Sequence, residues 1–146
     1  MSYDEGLEVG YKWYDAQEKQ VLFPFGFGLS YTTFAYSELH VSGGTKPHVS
    51  FTVKNTGTRS GAEVAELYAM LPSTTKEPPK RLVGYEKLML APGESREVTI
   101  DVDPLFLTVY DEQESHMRVV PGRYSFAVGG SSQALPLKQE VDLPGQ

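Results

Sequence analysis

The chain has 146 residues and a mass of 16.2 kDa, with 40% hydrophobic and 22% charged residues. That suits one domain plus a short extension and excludes both a wholly disordered chain and a two-domain enzyme. A formal charge of −6 argues against nucleic acid and anionic membranes as partners, and the lack of any cysteine removes disulfides, thiolate chemistry and Cys-based zinc sites.

Met1–Glu5 lacks the basic and apolar regions of a signal peptide, and no run approaches the ~20 apolar residues of a membrane span. A soluble chain of unknown compartment is expected. Residues 1–33 hold eight of the seventeen aromatics, namely Tyr3, Tyr11, Trp13, Tyr14, Phe23, Phe25, Phe27 and Tyr31. Phe23-Pro24-Phe25-Gly26-Phe27-Gly28-Leu29-Ser30-Tyr31 is too rich in glycine for a helix, and its proline does not suit a central strand. It reads as an extended segment laid on a surface. Ordering such a segment costs more conformational entropy than its aromatics recover alone, so it must dock on its own domain or on a second copy.

From residue 34 onward, glycine and proline separate short apolar runs, the rhythm of an all-β domain. Strands are expected at Phe34–Val41, His48–Asn55, Glu63–Leu71, Arg81–Leu90, Ser95–Val102, Leu105–Tyr110, Arg123–Gly129 and Leu137–Leu143, the last as a weaker edge strand. Val49, Phe51 and Val53 alternate with Ser50, Thr52 and Lys54. Val98, Ile100 and Val102 alternate with Glu97, Thr99 and Asp101, so each strand should have one wet face. Gly43-Gly44, Asn55-Thr56-Gly57, Pro92-Gly93 and Pro121-Gly122 supply the reversals. The pattern predicts a two-sheet antiparallel β-sandwich of immunoglobulin-like type with an extended aromatic-rich N-terminal segment, which the resemblance given below narrows to the fibronectin type III-like kind. An up-and-down barrel is the alternative.

Chemistry is sparse. Between Glu94 and Glu114 seven carboxylates face only Arg96. Such a group could supply the acid pair of a glycosidase or a calcium cage, but Asp101 and Asp103 share the polar parity of one strand and read as solvated. No Asp-x-Asp-x-Asp-Gly loop is present. His40, His48 and His116 are far apart in sequence and form a site only if folding gathers them. No Gly-x-Ser-x-Gly elbow occurs, and Gly26-Phe27-Gly28 has no following helix to bind phosphate. Lys76-Glu77-Pro78-Pro79-Lys80-Arg81 reads as a stiff basic crossover between the two sheets, or as a loop reaching a neighbouring domain or substrate. Tyr11, Trp13 and Tyr14 could offer a sugar-stacking platform or pack on protein. No catalytic, cofactor-binding or metal residue is assigned, and no cofactor is expected.

Tyr3-Asp4-Glu5-Gly6-Leu7-Glu8-Val9-Gly10-Tyr11-Lys12-Trp13-Tyr14-Asp15 and Leu22-Phe23-Pro24-Phe25-Gly26-Phe27-Gly28-Leu29-Ser30-Tyr31-Thr32-Thr33-Phe34 resemble the C-terminal part of family 3, β-glucosidase-like glycoside hydrolases. Val53–Gly57 with Gly61–Val64, Leu82–Lys87, Leu90–Glu94 and Pro121–Tyr124 are similar to that family's fibronectin type III-like domain. Lys12 stands where the family more often has arginine. The resemblance implies that residues 1–33 are the last strand and exit segment of a preceding, incomplete α/β sandwich domain and that 34–146 are the fibronectin type III-like domain. It also places the family's aspartate nucleophile and glutamate acid/base upstream of everything matched, so no catalytic residue is carried over. The chain is then expected to be a non-catalytic accessory module of a parent hydrolase of O-glycosyl bonds. It would stabilise or dock on the catalytic domains and could lend the Pro72–Arg81 loop to the pocket rim. A carbohydrate-binding module and a stand-alone interaction domain that oligomerises through residues 1–33 are the alternatives. Localisation stays open, with a secreted or periplasmic parent among the options.

Overall fold

The computed structural model describes residues 6–146. Antiparallel strands form two facing sheets. β1 (Phe34–Ser42) returns through the Gly43-Gly44 turn to β2 (His48–Asn55), and the chain then passes to the opposite sheet for β3 (Gly61–Met70) and β4 (Arg81–Leu90). A tight turn, with the Glu94 amide donating to the Ala91 carbonyl at 3.0 Å, swings it back to β5 (Ser95–Asp101). After the short β6 (Val109–Asp111) and β7 (His116–Arg118), β8 (Gly122–Gly129) and β9 (Leu137–Leu143) complete the second sheet. The orders are β1-β2-β5 and β4-β3-β8-β9, with β6-β7 a separate hairpin and β9 an edge strand as expected.

The period-2 reading holds on β2, where Val49, Phe51 and Val53 are buried. With Val98 they meet Ala65, Leu67 and Ala69 of β3, Leu88 and Leu90 of β4, and Tyr124, Phe126 and Val128 of β8 in one continuous core. Tyr124 Oη donates to the Val120 carbonyl at 2.8 Å, the corner hydrogen bond that immunoglobulin-like sandwiches place ahead of a central strand.

Four expectations are corrected. Leu105–Tyr110 is not one strand. Asp103 accepts from the Leu105 amide at 2.9 Å and Pro104 follows it, so Pro104–Leu107 winds into a 3-10 turn before β6. The Lys76–Arg81 loop does not cross between sheets, because β3 and β4 are hydrogen-bonded neighbours in one sheet. Strands β3 and β8 do not keep one wet face: Glu66, Tyr68 and Ala127 point away from the core residues of their strands, yet all are buried. Among the described residues 6–33 no strand forms, and within the stretch read as extended lies a six-residue helix, α1 (Tyr11–Ala16).

The least replaceable polar residue in the body is Asn55, fully buried at the end of β2. Its Nδ2 donates to the Arg59 carbonyl (2.7 Å) and the Leu90 carbonyl (3.0 Å), while Oδ1 accepts from Thr32 Oγ1 (2.6 Å) and the Gly57 amide (3.0 Å). Gly57 is required here by space, since a Cβ would lie 2.2 Å from Thr32 Oγ1. Asn55→Ala orphans all four partners and is expected to cost about 2–4 kcal/mol, read as a lowered urea midpoint with unchanged slope. A loss below about 0.5 kcal/mol would show that water replaces the side chain without penalty.

Candidate functional site

The most distinctive surface is made where residues 6–33 lie across the outer face of β4-β3-β8. Tyr11, at the start of α1, points inward: its Oη accepts from the Leu82 amide at 2.9 Å, and its ring stacks on Phe25 (5.0 Å) and meets Tyr68 edge-on (5.9 Å). At the end of the helix Asp15 pairs with Lys80 at 2.8 Å. The Ser132 amide donates to the Phe25 carbonyl at 2.8 Å, and the Thr56 amide to the Thr33 carbonyl at 2.8 Å. The segment is thus pinned along its length to its own chain's sheet, which is why β3 and β8 are covered on both faces.

Gly26 is the closest approach. The Phe27 amide closes a turn onto the Pro24 carbonyl at 3.0 Å, Gly26 takes φ +82°, and a Cβ there would sit 2.2 Å from Glu66 Oε1. Under this turn Tyr68 Oη donates to Glu66 Oε2 at 2.6 Å, and nearby Tyr36 Oη donates to Glu63 Oε1 at 2.6 Å. Burial pushes both carboxyl pKa values up against the opposing effect of the phenol bonds, and burial followed by the carboxylate bond pushes the Tyr36 and Tyr68 phenols well above their ordinary range. Glu63 borders a groove of about 310 Å³ with Gly26–Ser30 and Gly130, whereas Glu66, 5% exposed, does not reach it. The pair therefore does not present two facing acids to one cleft.

Of the seven acids of Glu94–Glu114, four are spent on local structure, and Glu97, Glu112 and Glu114 are exposed. Glu94 pairs with Arg96 at 2.8 Å, Asp101 with His48 at 2.7 Å and Asp111 with Arg118 at 2.6 Å, while Asp103 leaves the strand pattern to cap the 3-10 turn. His40, His48 and His116 are all exposed, on β1, β2 and β7, and among the described residues no group of three His, Cys, Asp or Glu could hold a metal ion. The basic loop is largely engaged internally: Lys80 holds Asp15, and Arg81 pairs with Glu77 and donates to the Phe106 and Thr108 carbonyls at 3.2 and 3.0 Å. Tyr11, Trp13 and Tyr14 do not form one platform. Tyr11 is turned into the sheet, Tyr14 meets Trp13 edge-on at 5.1 Å, and Lys19 Nζ sits 4.2 Å over the Trp13 ring. Sequence reasoning passed over Asn55, Glu66 and the Asp15–Lys80 pair. Only the Asn-Thr-Gly turn pointed toward any of them.

Two variants test this docking. Gly26→Ala, which needs both a strained φ and space that is already filled, is expected to cost about 1–3 kcal/mol. Hydrogen exchange should show it as lost protection at the Phe27 and Ser132 amides with β2 still protected. A raised carboxyl pKa contributes stability that is complete below the ordinary value of 4.5 and is lost as pH rises through the raised one. Wild type should therefore lose stability relative to Glu66→Gln as pH rises above the ordinary carboxyl value of 4.5 in urea melts, and a constant difference would refute the assignment.

The fibronectin type III-like domain family matches residues 63–132. The chain is 40% identical to thermostable beta-glucosidase B of Acetivibrio thermocellus over 147 residues, covering 97% of this chain and 20% of that protein. It is 38% identical to a putative beta-glucosidase of Schizosaccharomyces pombe, covering 97% and 17%. Among solved structures, the GH3 beta-glucosidase of Bifidobacterium adolescentis superposes with a TM-score of 0.93 at 37% identity, over 99% of this chain and 22% of that one. Beta-glucosidase 3B of Thermotoga neapolitana, solved in complex with glucose, superposes with a TM-score of 0.89 at 34% identity, over 99% and 20%. The chain spans about a fifth of the length of these proteins, and what it matches is their non-catalytic fibronectin type III-like part. Fold and sequence agree that the chain belongs to the C-terminal part of the β-glucosidase-like family 3 glycoside hydrolases, chiefly as their fibronectin type III-like domain.

Proposed function

We propose that the chain is a non-catalytic accessory module of a β-glucosidase-type hydrolase, which stabilises the catalytic domains by docking on them. In this reading residues 1–33 are the exit from a preceding α/β sandwich domain and 34–146 are the module body. One observation carries it: the N-terminal segment is pinned on its inner side yet leaves Leu22, Leu29 and Tyr31 at 93%, 93% and 88% exposure, with Leu7, Val9 and Phe27 also exposed. Apolar side chains clustered in a segment that is held in place, rather than scattered singly, mark an interaction surface. The length of the relatives supplies a partner, since four fifths of each lies outside the matched part.

In this reading bond cleavage falls to that remainder, since Glu63 and Glu66 do not open onto one cleft and Glu94, Asp101, Asp111 and Asp103 are held in ion pairs and a cap. The exposed tip of the β3–β4 loop, at Ser73, Thr74 and Lys76, is the part left to reach a neighbouring pocket rim.

A chimera tests the reading. Deleting the matched fifth of the Acetivibrio thermocellus relative should lower its Tm, and grafting this chain in its place should restore it. The triple variant Leu22→Ser/Leu29→Ser/Tyr31→Ser should lose most of that restoration while the isolated module melts as before. Equal restoration by the variant would sink the docking face, and release of nitrophenol from an aryl β-glucoside by the chain alone would contradict its non-catalytic role.

A further inference from the structure

Strand β3 outruns one of its neighbours. β4 pairs with it from Gly61 to Ala69, whereas β8 pairs only from Glu66 to Met70. Gly61–Ala65 therefore has a strand on one side alone, and among the described residues no backbone hydrogen bond from another segment reaches residues 62–64. Every second residue of an antiparallel strand aims its N–H and C=O away from a given neighbour, so this stretch presents an open edge.

The N-terminal segment spans that edge without filling it. It meets β3 at Gly26, beside Glu66, and again where a Cβ on Gly61 would lie 2.6 Å from Thr32 Cγ2 and 3.1 Å from Ser30 Oγ. Between these contacts lies the cleft of about 310 Å³, walled by Gly26–Ser30, Ala62–Val64 and Gly130. Gly26, Gly28 and Gly130 leave backbone rather than side chains at its walls, which admits close approach by another main chain.

One charge faces this cleft. A Cβ on Gly130 would lie 2.7 Å from Glu63 Oε1, and Glu63 also borders a shallower groove of about 470 Å³ with Phe34, Tyr36 and Leu135. Among the described residues Glu63 accepts from Tyr36 Oη and joins no ion pair. Lys87 stands opposite Val64 and so on the other face of the sheet. A neutral partner laid over the carboxylate would bury an unpaired charge, which is costly, whereas a cation would balance it. A second copy of the chain would bring a further net charge of −6 to the same acid. Four fifths of each relative lies outside the matched part, and Leu29, on the wall of the cleft, is among the residues that carry the docking reading.

We propose that an extended segment of the catalytic domains adds to this edge as a short strand, pairing with Ala62–Val64 and setting a lysine or arginine against Glu63. The inference rests on the docking reading and specifies which kind of segment the module holds, and by what chemistry. Main-chain pairing supplies affinity, and the carboxylate supplies register and selectivity.

The test uses the Acetivibrio thermocellus chimera, with hydrogen exchange followed by mass spectrometry. The fragment holding Ala62–Val64 should exchange about 10-fold or more slowly in the chimera than in the isolated chain. Glu63→Gln keeps an acceptor for Tyr36 Oη, so the isolated module should melt no lower than wild type. In the chimera the same variant should lose part of the restored Tm and part of the slowing at residues 62–64, and Glu63→Lys should lose more of both. A restored Tm with residues 62–64 exchanging as fast as in the isolated chain overturns the added strand and leaves the docking reading standing. A Glu63→Gln chimera equal to wild type in Tm and exchange overturns the paired cation. Failure of the wild-type graft to restore Tm, with exchange at residues 62–64 unchanged, overturns both.

Discussion

One buried amide holds the parts of this protein in register. Asn55 ends β2, and through its side chain it grips the turn that follows, the end of β4 and the threonine that leads into β1. Its backbone adds bonds to Glu94 and Gly93 at 2.9 and 3.0 Å. Two of the three crossings between the sheets, β2 to β3 and β4 to β5, therefore meet at one residue. A carboxylate of the same shape could accept but not donate, and would leave the Arg59 and Leu90 carbonyls without a partner. The surrounding core is apolar and tolerates shifts in packing. The crossings do not, because buried peptide groups must find partners wherever the chain leaves a sheet.

The covering segment follows a different logic. It has no ladder of its own and a helix too short to persist alone, so its shape is imposed by a few attachments spaced along it. Each uses a group that the sheet would otherwise leave unsatisfied or exposed: the Leu82 amide, the Ser132 amide, the Lys80 ammonium and the Tyr68 ring. In return the sheet gains a second covered face, at the cost of burying Glu66. That carboxylate is held by one phenol and is the point where docking and protonation are linked.

The features legible in the sequence were those repeated along the chain. Val49, Phe51 and Val53 reveal a strand because period two appears three times over, and the Pro-Gly and Asn-Thr-Gly signals bound such strands closely. Leu105, Phe106 and Leu107 look like a further apolar strand, and only the preceding Asp-Pro, a capping pair, shows that the chain curls there instead. The helix at Tyr11 carries no side-chain cap and exists because Tyr11 and Asp15 have anchors about seventy residues away. Glu66 is the hardest case: an outward-facing acid on a strand is ordinarily solvated, and nothing within its own strand announces that another segment lies on top of it. Contacts made across the whole chain leave no local pattern.

The path of that segment also has a consequence for synthesis. Residues 11–33 leave the ribosome before the surface they rest on, which is built from Tyr68, Leu82, Ala127 and Ser132, the last of them made about a hundred residues later. Over that interval the aromatic stretch has no sheet to settle on, and it must stay out of non-native associations until β8 has joined. Its glycines and its single proline, poor material for a strand of its own, suit such an interval because they keep the waiting stretch from pairing with the open edge of a half-formed sheet.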